Sequence, residues 1–232
     1  MSAARLRLLQ LVSPALPVGA FSYSEGLEVL VQQGRLADGA AVAAWLVAEL
    51  EGGLLPVEAA ALTPLRLGLE RWRQGHGEGE AAVRELDGWL LAQREAAEVR
   101  AQQRQMGRSL LQLLADMGLP LPATTAGASA APAALGWAAA WAWAGLCLEL
   151  EALEVREAYL YGWCSNQISA AVRLVPLGPT QAQRLQLALA PTLARCAARL
   201  EGQDPRALRS AGVGAALAQL GHSELYSRLF RS

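Results

Sequence analysis

Residues 96–117 read AAEVRAQQRQMGRSLLQLLADM. Ala96, Val99, Gln103, Met106, Leu110, Leu113 and Met117 recur by threes and fours, the spacing that gathers side chains on one face of an α-helix. The seam carries one polar position, Gln103. It suits a helix facing a core, or the heptad-like seam of a dimer. The helix is expected to begin near Glu80 and to be interrupted near Gly88.

The same period continues on both sides. Towards the N-terminus, residues 5–12 make a short helix, and Pro14 and Pro17 force an extended break. Ser22 with Glu25 three residues on has the pattern of a capping box, with Leu27, Leu30 and Val31 on the helix face that follows. Asp38 is placed to cap a helix striped by Val42, Trp45, Leu46 and Leu50, which Gly52-Gly53 ends. Another helix is expected from Val57 to Gln74, bent or broken near Pro64. Residues 75–79 have the composition of a loop. Towards the C-terminus come a loop over Gly118–Pro132, a tryptophan-rich helix through Trp137, Trp141 and Trp143, and an apolar, central helix over Leu150–Leu174. A turn at Val175–Pro179 follows, then a helix capped by Thr180 and striped by Leu185, Leu189, Leu193, Cys196 and Leu200. No stretch alternates with period two and no repeat is present. The expected fold is all-α: one compact helical bundle of about eight to ten helices, a single domain over residues 1–232.

Composition excludes several classes of function. The chain has 232 residues and a formal net charge of −1, so no excess of positive charge calls for nucleic acid or an anionic membrane. Every cation is an arginine; without lysine there is neither Schiff-base chemistry nor a P-loop. Cys147, Cys164 and Cys196 are scattered, with no C-x-x-C, and fit reduced thiols in a cytosolic protein. Arg5 and Arg7 ahead of an apolar stretch ending Val18-Gly19-Ala20 outline a signal peptide, but Gln10, Pro14 and Pro17 interrupt it. The uncharged run Ala130–Leu148 is long enough for a membrane span, yet it is mostly Ala, Gly and Trp. A cytoplasmic protein with no membrane partner is therefore expected.

Catalytic material is sparse. His76 and His222 are the two histidines, and neither has a partner at metal-ligand spacing. Ser22-Tyr23-Ser24-Glu25-Gly26 echoes a nucleophile elbow but lacks its first glycine and its leading strand. No catalytic residue, metal site or cofactor is expected. Two segments stand out instead: LVSPALPVGAFSYSEGLE at 11–28 and HSELYSRLFRS at 222–232. The second sets Tyr226, Leu229 and Phe230 among Arg228 and Arg231, residue types enriched at binding hot spots.

These segments resemble signatures of the urease accessory protein F family. The first matches at Leu11, Ser13, Leu16–Gly19, Phe21, Ser22, Ser24 and Gly26–Glu28. A middle run matches at Asn166, Gln167 and Arg173–Gly178, and Tyr226–Ser232 agrees throughout with the family's ending. Ser223 and Ser165 stand where glutamate is usual, and the stretch at 204–212 departs from the family pattern. The resemblance implies a helical, non-enzymatic homodimer that serves urease maturation and nickel insertion. It would bridge a scaffold, accessory protein D (called H in some bacteria), and the GTPase accessory protein G on urease apoprotein. Two alternatives are a GTPase-activating protein supplying an arginine finger and a helical membrane-associated protein. The expected partner-binding residues are Phe21, Ser22, Tyr23, Glu28, Asn166, Gln167, His222, Tyr226, Arg228, Leu229, Phe230 and Arg231. Within this set Phe21 is expected to plug the core and Tyr23 to face a partner. Residues 223–232 are expected to form a mobile or loosely docked tail that orders on the scaffold.

Overall fold

A computed structural model of the chain describes residues 3–124 and 135–232. The described residues form ten α-helices and no strand: α1 (Ala3–Leu11), α2 (Leu27–Gln32), α3 (Gly39–Gly52), α4 (Leu55–Arg73), α5 (Gly77–Ala92), α6 (Ala97–Asp116), α7 (Trp137–Cys147), α8 (Ala152–Leu174), α9 (Pro179–Arg199) and α10 (Val213–Gly221). The all-α expectation holds. Residues 125–134, which include part of the expected 118–132 loop and the start of the uncharged run, lie outside the described residues.

Helix α8 is the hub, packing against α1, α2, α3, α4, α7 and α9. Its expected central position follows from its apolar girth, since Val155, Ala158, Leu160, Cys164 and Ile168 are all buried. Most of the expected seam faces inwards, since Ala96, Val99, Gln103, Met106 and Leu110 are buried and α6 packs on α7, but at its C-terminal end Leu113 is half-buried, Met117 is exposed, and Leu114 takes the buried position. Trp141 and Trp143 of α7 donate their indole N–H groups to the carbonyls of Val155 and Leu119, both at 3.1 Å, which satisfies the polar edge of each buried ring. No single helix among the described residues is long and apolar enough to cross a membrane; α3 and α4 reach that composition only together, across a 43° bend.

Several boundaries differ from expectation. Helix α4 runs through Pro64 unbroken, because packing against α3, α5, α7 and α8 outweighs the lost backbone bond, a cost of about 3 kcal/mol. The long helix expected from Glu80 breaks at residues 93–96 rather than at Gly88. There Arg94 turns inwards, and the Arg100 guanidinium covers the Glu95 carbonyl at 2.7 Å. The expected loop at 75–79 is already helical from Gly77, and a Cβ on Gly79 would stand 2.6 Å from the Trp72 nitrogen and 2.7 Å from the Gly68 oxygen. Glycine is needed there for the close approach of α4 and α5. Asp38 caps α3 as expected, its Oδ1 accepting from the Ala41 N–H at 2.9 Å. Thr180 does not cap α9; Gly178 is the capping position, and Pro179 opens the first turn.

Candidate functional site: a junction of three distant segments

The expected capping box at Ser22 and Glu25 does not form. Ala20–Ser22 is a single 3-10 turn, and α2 begins only at Leu27. Between them Glu25 adopts a left-handed conformation with φ 51°, and Gly26 follows at 89°. A non-glycine residue there is strained and needs holding. Two side chains hold it: Gln102 donates to Glu25 Oε1 at 2.6 Å, and the Trp163 indole N–H donates to Oε2 at 3.0 Å. Gly26 is fixed by contact, since a Cβ would sit 3.0 Å from the Gln219 nitrogen of α10.

This bend exposes backbone groups that the last residues of the chain satisfy. The Ser24 amide and hydroxyl both donate to the Ser232 carbonyl at 2.7 Å, and the Arg231 N–H donates to the Ser22 carbonyl at 2.8 Å. Glu28, buried on α2, accepts the N–H groups of Leu229 and Phe230 at 2.7 and 3.1 Å. Hydrogen bonds to a charged acceptor contribute ~1.5–3 kcal/mol each. Phe230 is buried, with the Arg173 guanidinium 4.6 Å above its ring. His222 is also buried: its Nδ1 lies 2.8 Å from Glu98, and Arg228 reaches the same carboxylate at 2.9 Å. Asn166 of α8 donates to the Tyr23 carbonyl at 3.4 Å. The segments at 11–28, 166–178 and 222–232, far apart in sequence, thus meet in one junction.

Three expectations are corrected here. Phe21 does not plug the core; it is 70% exposed, because the 3-10 turn carries it outwards. Tyr23, expected on the surface, is 7% exposed. Nor are the last residues loosely held, since Phe230 and Ser232 are buried and the backbone is hydrogen-bonded from 229 to 232. Of the twelve expected residues, Phe21, Tyr226, Arg228, Leu229 and Arg231 are exposed. Ser22 and Asn166 are half-buried, and Tyr23, Glu28, Gln167, His222 and Phe230 are buried. Both amide atoms of Gln167 are buried without a hydrogen-bond partner among the described residues. Next to the junction, α10 leaves Val213, Leu217 and Leu220 exposed on one face.

Sequence reading missed Gln102 and the polar cluster beneath the junction. Arg94 grips Glu58 Oε1 with Nε, at 3.0 Å, and with Nη2, while the Tyr159 hydroxyl donates to Oε2 at 2.9 Å. All three side chains are buried. Burial and the neighbouring Glu58 carboxylate push the Tyr159 hydroxyl well above its usual pKa, so it remains a donor. Burial, which would lower the Arg94 pKa, is outweighed by Glu58 and Glu25, and the net shift is upwards. The one local signal for Gln102 was a pair of adjacent glutamines on a core-facing helix. Between the N-terminal segment, α6, α7 and α8 lies a cavity of about 200 Å³, with Glu25 and Glu58 among the polar side chains that line it. The three cysteines are free; burial pushes the Cys164 thiol up to about 12 and Cys147 to about 11, away from nucleophilic use. Among the described residues no three His, Cys, Asp or Glu side chains converge as a metal would need.

Fold and junction together define an all-helical protein whose three signature segments close on one surface. The UreF family model matches residues 36–190. The chain is similar to the urease accessory protein UreF of Alkalilimnicola ehrlichii, 40% identical over 99% of this chain and 96% of that protein. It is similar to UreF of Microcystis aeruginosa at 40%, over 98% and 97%, and to UreF of a Synechocystis species at 38%, over 99% and 98%. The chain belongs to the UreF family of urease accessory proteins.

Proposed function

We propose that this chain is a non-enzymatic urease maturation factor of the cytoplasm. It bridges the scaffold accessory protein D (or H) and the GTPase accessory protein G on urease apoprotein, as a homodimer, and regulates GTP-dependent delivery of nickel as cargo. The observation that carries the reading is the junction. The segments that match the family's signatures meet there, and exposed apolar side chains gather around them: Phe21, Tyr226, Leu229 and the α10 face of Val213, Leu217 and Leu220. Such a patch beside arginines has the composition of a binding hot spot. Buried members such as Glu28, His222 and Phe230 act by holding this surface in shape.

The test is co-purification of the Tyr226→Ala/Leu229→Ala double variant with the accessory proteins and urease apoprotein. The expected result is a normally melting protein that no longer forms the complex with scaffold and GTPase and no longer supports urease activation. A double variant that assembles and activates like the parent would overturn the assignment of the surface.

A further inference from the structure

The cavity beside the junction has a chemistry that partner docking at the surface does not use. Its walls are aromatic, with Trp137, Trp141, Trp163 and Tyr159 lining it. Among its lining residues Glu25 accepts one hydrogen bond on each oxygen, and Glu58 accepts two from Arg94 on Oε1 and one from Tyr159 on Oε2. A carboxylate oxygen has two lone-pair directions, so three acceptor positions are left unused by the described residues. Gln103, only 5% exposed, lines the same cavity and makes no hydrogen bond to any described residue. Its amide is therefore free to hydrogen-bond with whatever enters the cavity.

The charge is also unbalanced. Glu25 and Glu58 bring two carboxylates, and Arg94, bound to Glu58, is the one cation paired with them among the described residues. An anionic guest is therefore disfavoured, and a purely apolar one would leave Gln103 and the spare carboxylate lone pairs unanswered. A metal ion would lack a converging third ligand. A flat or compact cation bearing N–H donors suits this lining: carboxylates and the Gln103 carbonyl would accept from its donors, and aromatic rings favour its charge. The cavity's volume of about 200 Å³ accommodates such a head with a short alkyl stem.

We propose that this cavity binds an organic cation, a guanidinium or primary ammonium group, held by Glu25 and Gln103 within aromatic walls. The group comes either from a small amine or guanidine in solution or from an arginine or lysine side chain of a partner protein.

The experiment follows the indole N–H resonance of Trp163, which reports on Glu25, while n-propylguanidinium chloride is titrated into the labelled, full-length protein. A saturable shift is expected in the millimolar range, with no response to equal sodium chloride or n-butanol. Glu25→Gln should weaken the binding by about tenfold or more. Gly162→Leu supplies a second variant that leaves the buried carboxylates untouched. A Cβ there would meet only the Trp141 ring, at 4.0 Å, so the leucine side chain enters the cavity and should abolish the shift. A parent protein with no saturable shift, or a folded Gly162→Leu protein that responds like the parent, overturns the proposal. The source is read by repeating the titration on the complex with the accessory proteins. A partner side chain in the cavity leaves Trp163 already shifted and unresponsive, whereas a site for a free amine still titrates.

Discussion

Glu58 and Glu28 are both buried carboxylates on helices, yet they are neutralised in opposite ways. Glu58 is held by a guanidinium and a phenol, from the α5–α6 break and from α8, all side chains within the packed interior. Glu28 is held by two backbone N–H groups of the last residues of the chain, with His222 3.5 Å away. The first arrangement can be undone only by opening the core. The second can be undone by lifting away residues 228–232, and their departure would return Glu28 to water. A third carboxyl, the half-buried Glu49 on α3, extends the series: it accepts no hydrogen bond from the described residues, and partial burial raises its pKa to about 7. A buried acid's partners therefore decide whether it anchors a fold, closes a latch or strains the structure.

The comparison can be broken most severely at Arg94. Arg94→Met leaves Glu58 buried without its cation and should cost ~3–5 kcal/mol in urea unfolding. If the variant melts with the parent, the Glu58 cluster is no anchor. Next comes the latch. Phe230→Ala should cost ~3 kcal/mol and make residues 222–232 susceptible to protease while the remaining helices stay resistant. Uniform proteolysis of the whole chain would erase the distinction between latch and core. The Glu49 effect is smaller and depends on pH. Its carboxyl is raised from an ordinary value of 4.5 to about 7, so the stability it contributes is fully present below about 4.5 and is lost as pH rises through about 7. Glu49→Gln should accordingly be more stable than the parent by ~1–3 kcal/mol at alkaline pH, with the gap closing towards pH ~5. A gap that widened on acidification would reverse the assignment. Smallest of all, Tyr226→Ala should leave the melting temperature unchanged, since the side chain is fully exposed.

The helices were legible wherever one periodic face met one core, as in α3, α6 and α9. Asp38 was legible because its contact is local, three residues along the chain. Boundaries set by distant partners were not. Arg94 breaks a helix for the sake of Glu58, 36 residues earlier, and no window of sequence contains that reason. Phe21 and Tyr23 exchanged places for the same cause: the capping pattern at Ser22 is a local preference, overridden by Gln102 and Trp163, which draw Glu25 into a left-handed bend. The residues of the junction were found through the family's signatures. Their roles were not, because aromatic and arginine-rich composition reads alike whether a segment docks on its own chain or on another.

The hydrogen bond from Ser24 to Ser232 spans 208 positions. Contacts of such separation form after the helices between them have packed, because closing so large a loop has no reward until both of its ends are in place. The junction is thus expected to form late, largely after the folding transition state. Interactions of that kind leave the rate of folding alone and govern the rate of unfolding. Residues 228–232 accordingly set the lifetime of the finished structure rather than the speed of reaching it, and loosening Phe230 should steepen escape from the native state without delaying entry.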